Sequence, residues 1–175
     1  MNEKYLKKIK GLSSLIGNTP LLEIEFLYKG RIRKIYAEAE NMNMTGSIKE
    51  RMAFHILRNA IERGVLKEGK LIIEATSGNT GISFSAIGRA LGHPVTIFMP
   101  NWMSSERINL IRGFGATINP VCKEEGEFLG SIDLANKMAA GIDGAFLPHQ
   151  FENQDNAEAH FLTTGPEIWL QSRQT

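Results

Sequence analysis

Two periodicities of apolar and polar positions run through the chain. β-branched runs of strand length occupy 71–77 (LIIEATS), 95–100 (VTIFMP) and 116–121 (ATINPV), with a shorter run, KIYAEAE, at 34–40. Between and after them apolar residues recur every three to four positions, which predicts helices over 47–63, 80–91, 104–113 and 128–141. Gly64, Gly92 and Gly115 stand where these helices should stop, and Asn101 with Ser104 or Ser105 where the third should begin. Alternation of strand and helix predicts an α/β fold, a parallel sheet flanked by helices on both faces with right-handed crossovers. The stretch 156–175 reads as one more helix, and its Trp169 and Leu170 ask for an apolar partner that no later strand supplies, so the fold is expected to be a truncated one.

The helix over 47–63 contains a conflict. At ~100° per residue, Ile48, Met52, Ile56 and Ala60 form one row and Ala53, Leu57 and Ile61 the next, with Glu50, Arg51, Arg58 and Glu62 opposite. Lys49 falls near the centre of the apolar face and in the first turn, where the helix dipole disfavours a cation by roughly 0.3–1 kcal/mol. Burial and dipole together should lower its pKa and supply the neutral amine that Schiff-base chemistry needs. A lysine snorkelling at the helix edge, or paired with Glu38 or Glu40, satisfies the same pattern.

A second segment, EATSGNTGIS (74–83), packs small hydrogen-bonding residues between a strand and a helix. Glycines there allow a backbone to approach a ligand or to adopt positive φ, and the N–H groups of a helix start attract anions. At the carboxyl end of a parallel strand this is the usual place for a ligand. Thr76, Ser77, Gly78 and Thr80 could hold a carboxylate or phosphate while the Asn79 amide makes a directional contact. A capped turn without a ligand is the alternative. The segment matches neither a Walker loop nor the dinucleotide fingerprint.

Composition changes little. A chain of 175 residues with net charge +1 gives no reason to expect nucleic acid or an anionic membrane as partner. No apolar run nears the ~20 residues of a membrane span, and the charged start, MNEKYLKKIKGLSSLIG, lacks a signal core, so the chain reads as cytoplasmic. Cys122 stands alone and is expected to be a small buried hydrophobe. No histidine spacing suggests a metal. His55 is expected to be solvated, His93 to sit in a turn, and His149 and His160 to be structural hydrogen-bonding residues. Met99, Trp102 and Met103 either line a site mouth or pack in the core.

Five segments in order, LIGNTPLLEI (15–24), NMTGSIKER (43–51), EATSGNTGIS, PNWMSSERINLIRGFGA (100–116) and HQFENQDNAEAHFLTTGPEIW (149–169), resemble the cysteine synthase (O-acetylserine sulfhydrylase) family of fold-type-II pyridoxal-phosphate enzymes. Met44 departs from the proline common there. The resemblance implies pyridoxal 5'-phosphate as cofactor, attached at Lys49, with Asn79 bonded to the ring's 3′ oxygen. It implies that Thr76, Ser77, Gly78, Thr80 and Gln150 grip the carboxylate of the amino-acid substrate. The implied reaction is a β-replacement in which Lys49 removes the α-proton, acetate leaves O-acetyl-L-serine and sulfide adds, in ping-pong order. Cystathionine β-synthase shares the lysine and the loop, and a non-catalytic binding module is a third reading. Family architecture implies a tryptophan synthase β-like fold: residues 1–42 cross over and belong partly to a large domain, 43–153 form the small α/β domain, and 154–175 begin an incomplete large domain. The family's glycine-rich cup for the cofactor phosphate would follow, so the 175 residues alone are expected to bind the cofactor poorly, and homodimers are the expected assembly.

Overall fold

The structure is a computed structural model that describes residues 3–172. It begins with α1 (Glu3–Ser13), followed by an antiparallel hairpin of β1 (Leu21–Tyr28) and β2 (Arg31–Glu38). Then come α2 (Lys49–Glu62), β3 (Ile72–Ala75), α3 (Asn79–Leu91), β4 (Val95–Pro100), α4 (Ser105–Gly113), β5 (Thr117–Val121) and α5 (Glu127–Ala140). Strands β3, β4 and β5 lie side by side in that order and all parallel, and Phe146 adds a parallel bridge to Ile72 on the free side of β3. The predicted strands at 71–77, 95–100 and 116–121 and all four predicted helices are present.

Period-two alternation divides the sheet's side chains between two cores. Ile72, Val95, Ile97 and Met99 join α2 and α3 through Met52, Ile56, Leu57, Phe84 and Ile87. Ile73, Ala75, Phe98 and Val121 face α5 at Ala135 and Ile132. Gly64, Gly92 and Gly115 all have positive φ, as helix ends require. Gly92 closes α3 in the left-handed conformation at φ 99°.

Three features depart from expectation. The hairpin is longer than the single run 34–40: β1 pairs with β2 over eight residues each, turning at Lys29 and Gly30, both at positive φ. Nearly all of it is exposed, including Leu27 and Ile32. The stretch 156–175 is two helices, α6 (Gln154–Leu162) and α7 (Thr164–Ser172), because Thr163 leaves helical geometry at φ −123°, ψ −71°; residues 173–175 lie outside the described residues. Cys122 is half-buried rather than buried, because it starts a short 3-10 turn and meets Glu124 and Glu125, whose carboxylates push the thiol pKa up.

α7 is fastened to the start of the hairpin. Gln171 accepts a bond from the Leu21 N–H at 2.6 Å and donates one to the Thr19 carbonyl at 2.8 Å. α1 packs on α3, where Tyr5 bonds the fully buried His93, whose other ring nitrogen meets the Lys70 carbonyl. His93 sits in the turn between α3 and β4, as expected, but its side chain is buried as well, and burial holds its pKa low.

Candidate active site

The turn before α2 is built by Glu50. Its Oε1 accepts bonds from the Thr45 N–H and hydroxyl, both at 2.7 Å, and from the Ser47 N–H at 3.2 Å. Ser47 Oγ in return accepts the Lys49 N–H at 3.3 Å. These bonds tie the 45–47 turn to the first turn of α2, whose first residue is Lys49 and whose N-cap residue, Ile48, makes no side-chain cap. Lys49 is exposed, so the expected position on a buried apolar face is wrong. The reason is geometric: with the helix beginning at Lys49, its side chain reaches past the helix end into a cavity. Glu38 and Glu40 do not hold it, since Glu38 accepts from Thr19 and Glu40 from Arg51.

Glu50 and Arg51, expected on a solvated face, are buried. Helix α2 is enclosed by α3 on one side and by α6 and the N-terminal segment on the other. Arg51 makes a bidentate pair with Glu167 of α7 at 2.8 and 2.7 Å, and also reaches Glu40 at 3.0 Å and Thr19 at 2.9 Å. His55, likewise expected in solvent, is buried and bonds Glu158 at 2.8 Å. His55, Asp155 and Glu158 form the one group of potential metal ligands among the described residues. Arg63 grips both oxygens of Asp155 at 3.0 and 2.9 Å, and Asn59 donates to both carboxylates, so the cluster is an ion-pair seam joining α2 to α6.

From β3 the chain runs through Thr76, Ser77 and Gly78 into α3. The Gly78 N–H donates to Thr76 Oγ1 at 3.2 Å, and no side chain caps the N-terminus of α3. Its first N–H groups therefore offer an anion the donors that a capped helix would have spent. Neither loop glycine uses positive φ; close approach is what each requires. A Cβ on Gly78 would lie 3.0 Å from Arg107 Nε, and one on Gly81 would lie 2.6 Å from Thr76 Cγ2 and 3.3 Å from both Ile97 and Ile111. Gly81→Ala should therefore push α3 off the loop and cost about 1–3 kcal/mol; a denaturation midpoint unchanged from wild type would show that Thr76 can move aside freely.

Lys49, Thr76, Ser77, Gly78, Asn79, Thr80 and Gln150 all line one cavity of ≈ 480 Å³. Every residue singled out from the sequence is thus brought together, although Lys49 and the loop are separated by 27 positions and Gln150 by a further 70 from Thr80. Ser77 and Asn79 are exposed; Thr76, Thr80 and Gln150 are buried, with Thr80 donating to Gln150 Oε1 at 2.8 Å and Gln150 Nε2 donating to the Ala75 carbonyl at 3.1 Å. Trp102 and Met103 line the same cavity, as one of their two readings required. Arg107, Phe128 and Phe151 were not foreseen: Arg107 lies one turn into α4, and no local pattern links it to the loop. Lys49 and Arg107 are the cavity's charged residues, which suits an anionic guest. His160 bonds Thr164 at 2.9 Å, the structural role expected; burial and the nearby charges of Lys49 and Arg51 keep its pKa low.

The cavity thus combines a lysine at a helix start, a loop of neutral donors and an uncapped helix end. Residues 12–175 match the family of pyridoxal-phosphate dependent enzymes, and the chain belongs to that family. It is similar to a hydrogen sulfide-producing enzyme from Fusobacterium nucleatum at 51% identity and TM-score 0.92, covering 97% of this chain and 51% of that one. It is 42% identical to cysteine synthase B of Escherichia coli (strain K12) over 161 residues, 92% of this chain and 52% of the relative. Cysteine synthase B of Pseudomonas syringae pv. syringae is 37% identical over 161 residues, 94% of its length. The chain spans about half the length of the first curated relatives it matches, between 44% and 52%. No described helix is long and apolar enough to cross a membrane.

Proposed function

We propose that this chain carries the substrate half of a pyridoxal-phosphate-dependent β-replacement site that makes L-cysteine from O-acetyl-L-serine and sulfide. The observation that supports it most is the meeting of Lys49, the Thr76–Thr80 loop and Gln150 in one cavity. The residues fit the cofactor: an exposed lysine amine and the exposed Asn79 amide face a space of ≈ 480 Å³ that no carboxylate lines. Lys49 is the attachment point and Asn79 the partner of the ring oxygen. Bound there, the cofactor supplies an electron sink for charge developing at the substrate α-carbon.

This chain's own residues do the rest. The uncapped end of α3 and the hydroxyls of Thr76, Ser77 and Thr80 orient the substrate carboxylate, with the Gly78 backbone close beside it. The second N–H of the Gln150 amide supplies a further donor while the first keeps its bond to the Ala75 carbonyl. So oriented, the α-proton faces the Lys49 amine, which removes it as general base. Trp102, Phe128 and Phe151 border the cavity and give its mouth an apolar wall. In this reading residues 43–153 are the substrate-binding unit, and 1–42 and 154–175 contribute to a second unit.

A second reading keeps these roles but takes cysteine as the donor and releases sulfide; the 51% identity to the hydrogen sulfide-producing enzyme favours it. One assay series separates the readings. With added cofactor, O-acetyl-L-serine plus sulfide should yield cysteine, and sulfide release from cysteine alone marks the second reading. Cystathionine from serine plus homocysteine would assign the chain to the cystathionine β-synthase type. Absence of all three products despite cofactor attachment at Lys49 would leave a non-catalytic module.

A further inference from the structure

Glu74 lies outside the site as described so far, yet it touches the site from behind. It occupies β3 one residue before the end of the strand, and its side chain is buried. Its Oε1 accepts the Ala75 N–H at 2.9 Å. Its Oε2 has no hydrogen-bond partner, and Glu74 and Gln150 border a cavity of ≈ 50 Å³ walled by Ile132, Ala135 and Leu147. An unpartnered buried carboxylate oxygen is costly and needs a compensating role. The residue that Glu74 holds, Ala75, is the anchor of the substrate clamp: Gln150 bonds the Ala75 carbonyl with one end of its amide and Thr80 with the other.

We propose that Glu74 is a positioning residue of the carboxylate clamp: its ionised carboxyl holds the Ala75 backbone at the end of β3, and the Ala75 carbonyl in turn keeps the Gln150 amide at the loop. Bonds from N–H groups to an ionised acceptor are roughly twice as strong as those to a neutral one. Protonation therefore loosens Gln150, and the clamp is coupled to pH. Burial raises the Glu74 pKa to about 7, against the pull of the Ala75 and Gln150 N–H groups, so the coupling falls near neutrality. The other titratable groups bordering this cavity are His149 and Glu152; α5 presents the uncharged Ile132, Ala135 and Asn136, and β4 carries no titratable side chain. The sign for folding is opposite to that for clamping. A carboxyl whose folded pKa lies above its ordinary 4.5 stabilises the fold at low pH, and that stability is lost as pH rises towards 7.

The inference rests on the proposed role of the loop and Gln150, but its first test does not. In the full 175-residue chain, labelled at Glu and Gln, the Gln150 backbone and side-chain amide resonances should move between pH 5.5 and 8.5 with the midpoint of the Glu74 carboxyl. Glu74→Gln should abolish that movement and leave the amides at their low-pH positions, while His149→Gln should not alter it. Gln150 resonances that ignore pH, or that follow His149, overturn the proposal. The second test uses L-serine between pH 5.5 and 7.5, where its carboxylate stays ionised and its amino group stays largely protonated. Its affinity should rise about 3- to 10-fold on ionisation of Glu74, as expected for strengthening one or two hydrogen bonds, and stay flat in Glu74→Gln. Affinity that falls as pH rises would mean that repulsion by Glu74, or loss of charge on His149, governs the site, and would also overturn the proposal. If L-serine binds at no pH, the reading of the loop fails, and the amide titration still decides whether Glu74 positions Gln150.

Discussion

Lys49→Ala should abolish the visible absorbance that the chain acquires with pyridoxal 5'-phosphate. The amine is the one primary amine lining the cavity among the described residues, and the group that can bond a carbonyl carbon as an imine; the guanidinium of Arg107 on the same cavity does not do this. The wild-type chain is titrated with cofactor until the band appears, and the variant is compared at that concentration. Reduction with borohydride followed by peptide mapping should place the added mass on Lys49. Lys49→Arg separates charge from chemistry, because it keeps the cation but should lose the band equally. A band that persists in either variant, or a reduced adduct on another lysine, would remove Lys49 from its proposed role. The loss should be all or none, since no second lysine lines the cavity among the described residues.

Arg51→Ala should be the most destabilising of the substitutions considered. The guanidinium is almost wholly enclosed and holds Glu167 through two bonds while also pairing with Glu40. Burial disfavours its charge, but the carboxylates of Glu167 and Glu40 outweigh that and keep its pKa above the ordinary arginine value. Removing it leaves two partly buried carboxylates without their cation, which costs about 3–5 kcal/mol. For a chain of this size the Tm should fall by on the order of 10 °C. Arg51→Lys should recover only part, because an ammonium cannot make the two-pronged contact with Glu167. Arg51→Met combined with Glu167→Met should be milder than Arg51→Ala alone, since the variant buries one fewer orphaned charge. A midpoint for Arg51→Ala within 0.5 kcal/mol of wild type, the usual range for ordinary surface changes, would show that the hub is ornamental. Its position two residues from Lys49 means that loss of order here should also weaken cofactor attachment.

The parallel sheet and its four flanking helices were legible because each strand of the sheet is a β-branched run and each helix is bounded by glycine or serine. The positions of Lys49, the loop and Gln150 on one cavity followed from motif resemblance and from strand ends, not from spacing alone. What remained hidden depended on distant partners. Periodicity assigned Glu50, Arg51 and His55 to solvent because they are polar. They are buried because Thr45, Glu167 and Glu158 satisfy them, two of those from more than 100 positions away. The same logic misplaced Lys49, which a helix wheel buries but the helix start releases. The hairpin carried a readable signal: Ile24 and Phe26 alternate with Glu23 and Glu25 before Lys29-Gly30. Arg107 carried none, since its contact with Gly78 exists only once α4 lies over the loop.

Because β3, β4 and β5 run the same way, the segments that leave them all emerge along one rim of the sheet, and the side chains that border the reactants sit on that rim. Trp102 follows β4, Phe128 follows β5, and Phe151 follows the bridging segment at Phe146. None of the three belongs to either buried cluster. The molecule thus separates endurance from taste: the interior can stay as it is while three aromatic rings at the rim are replaced and the shape of the cavity mouth changes.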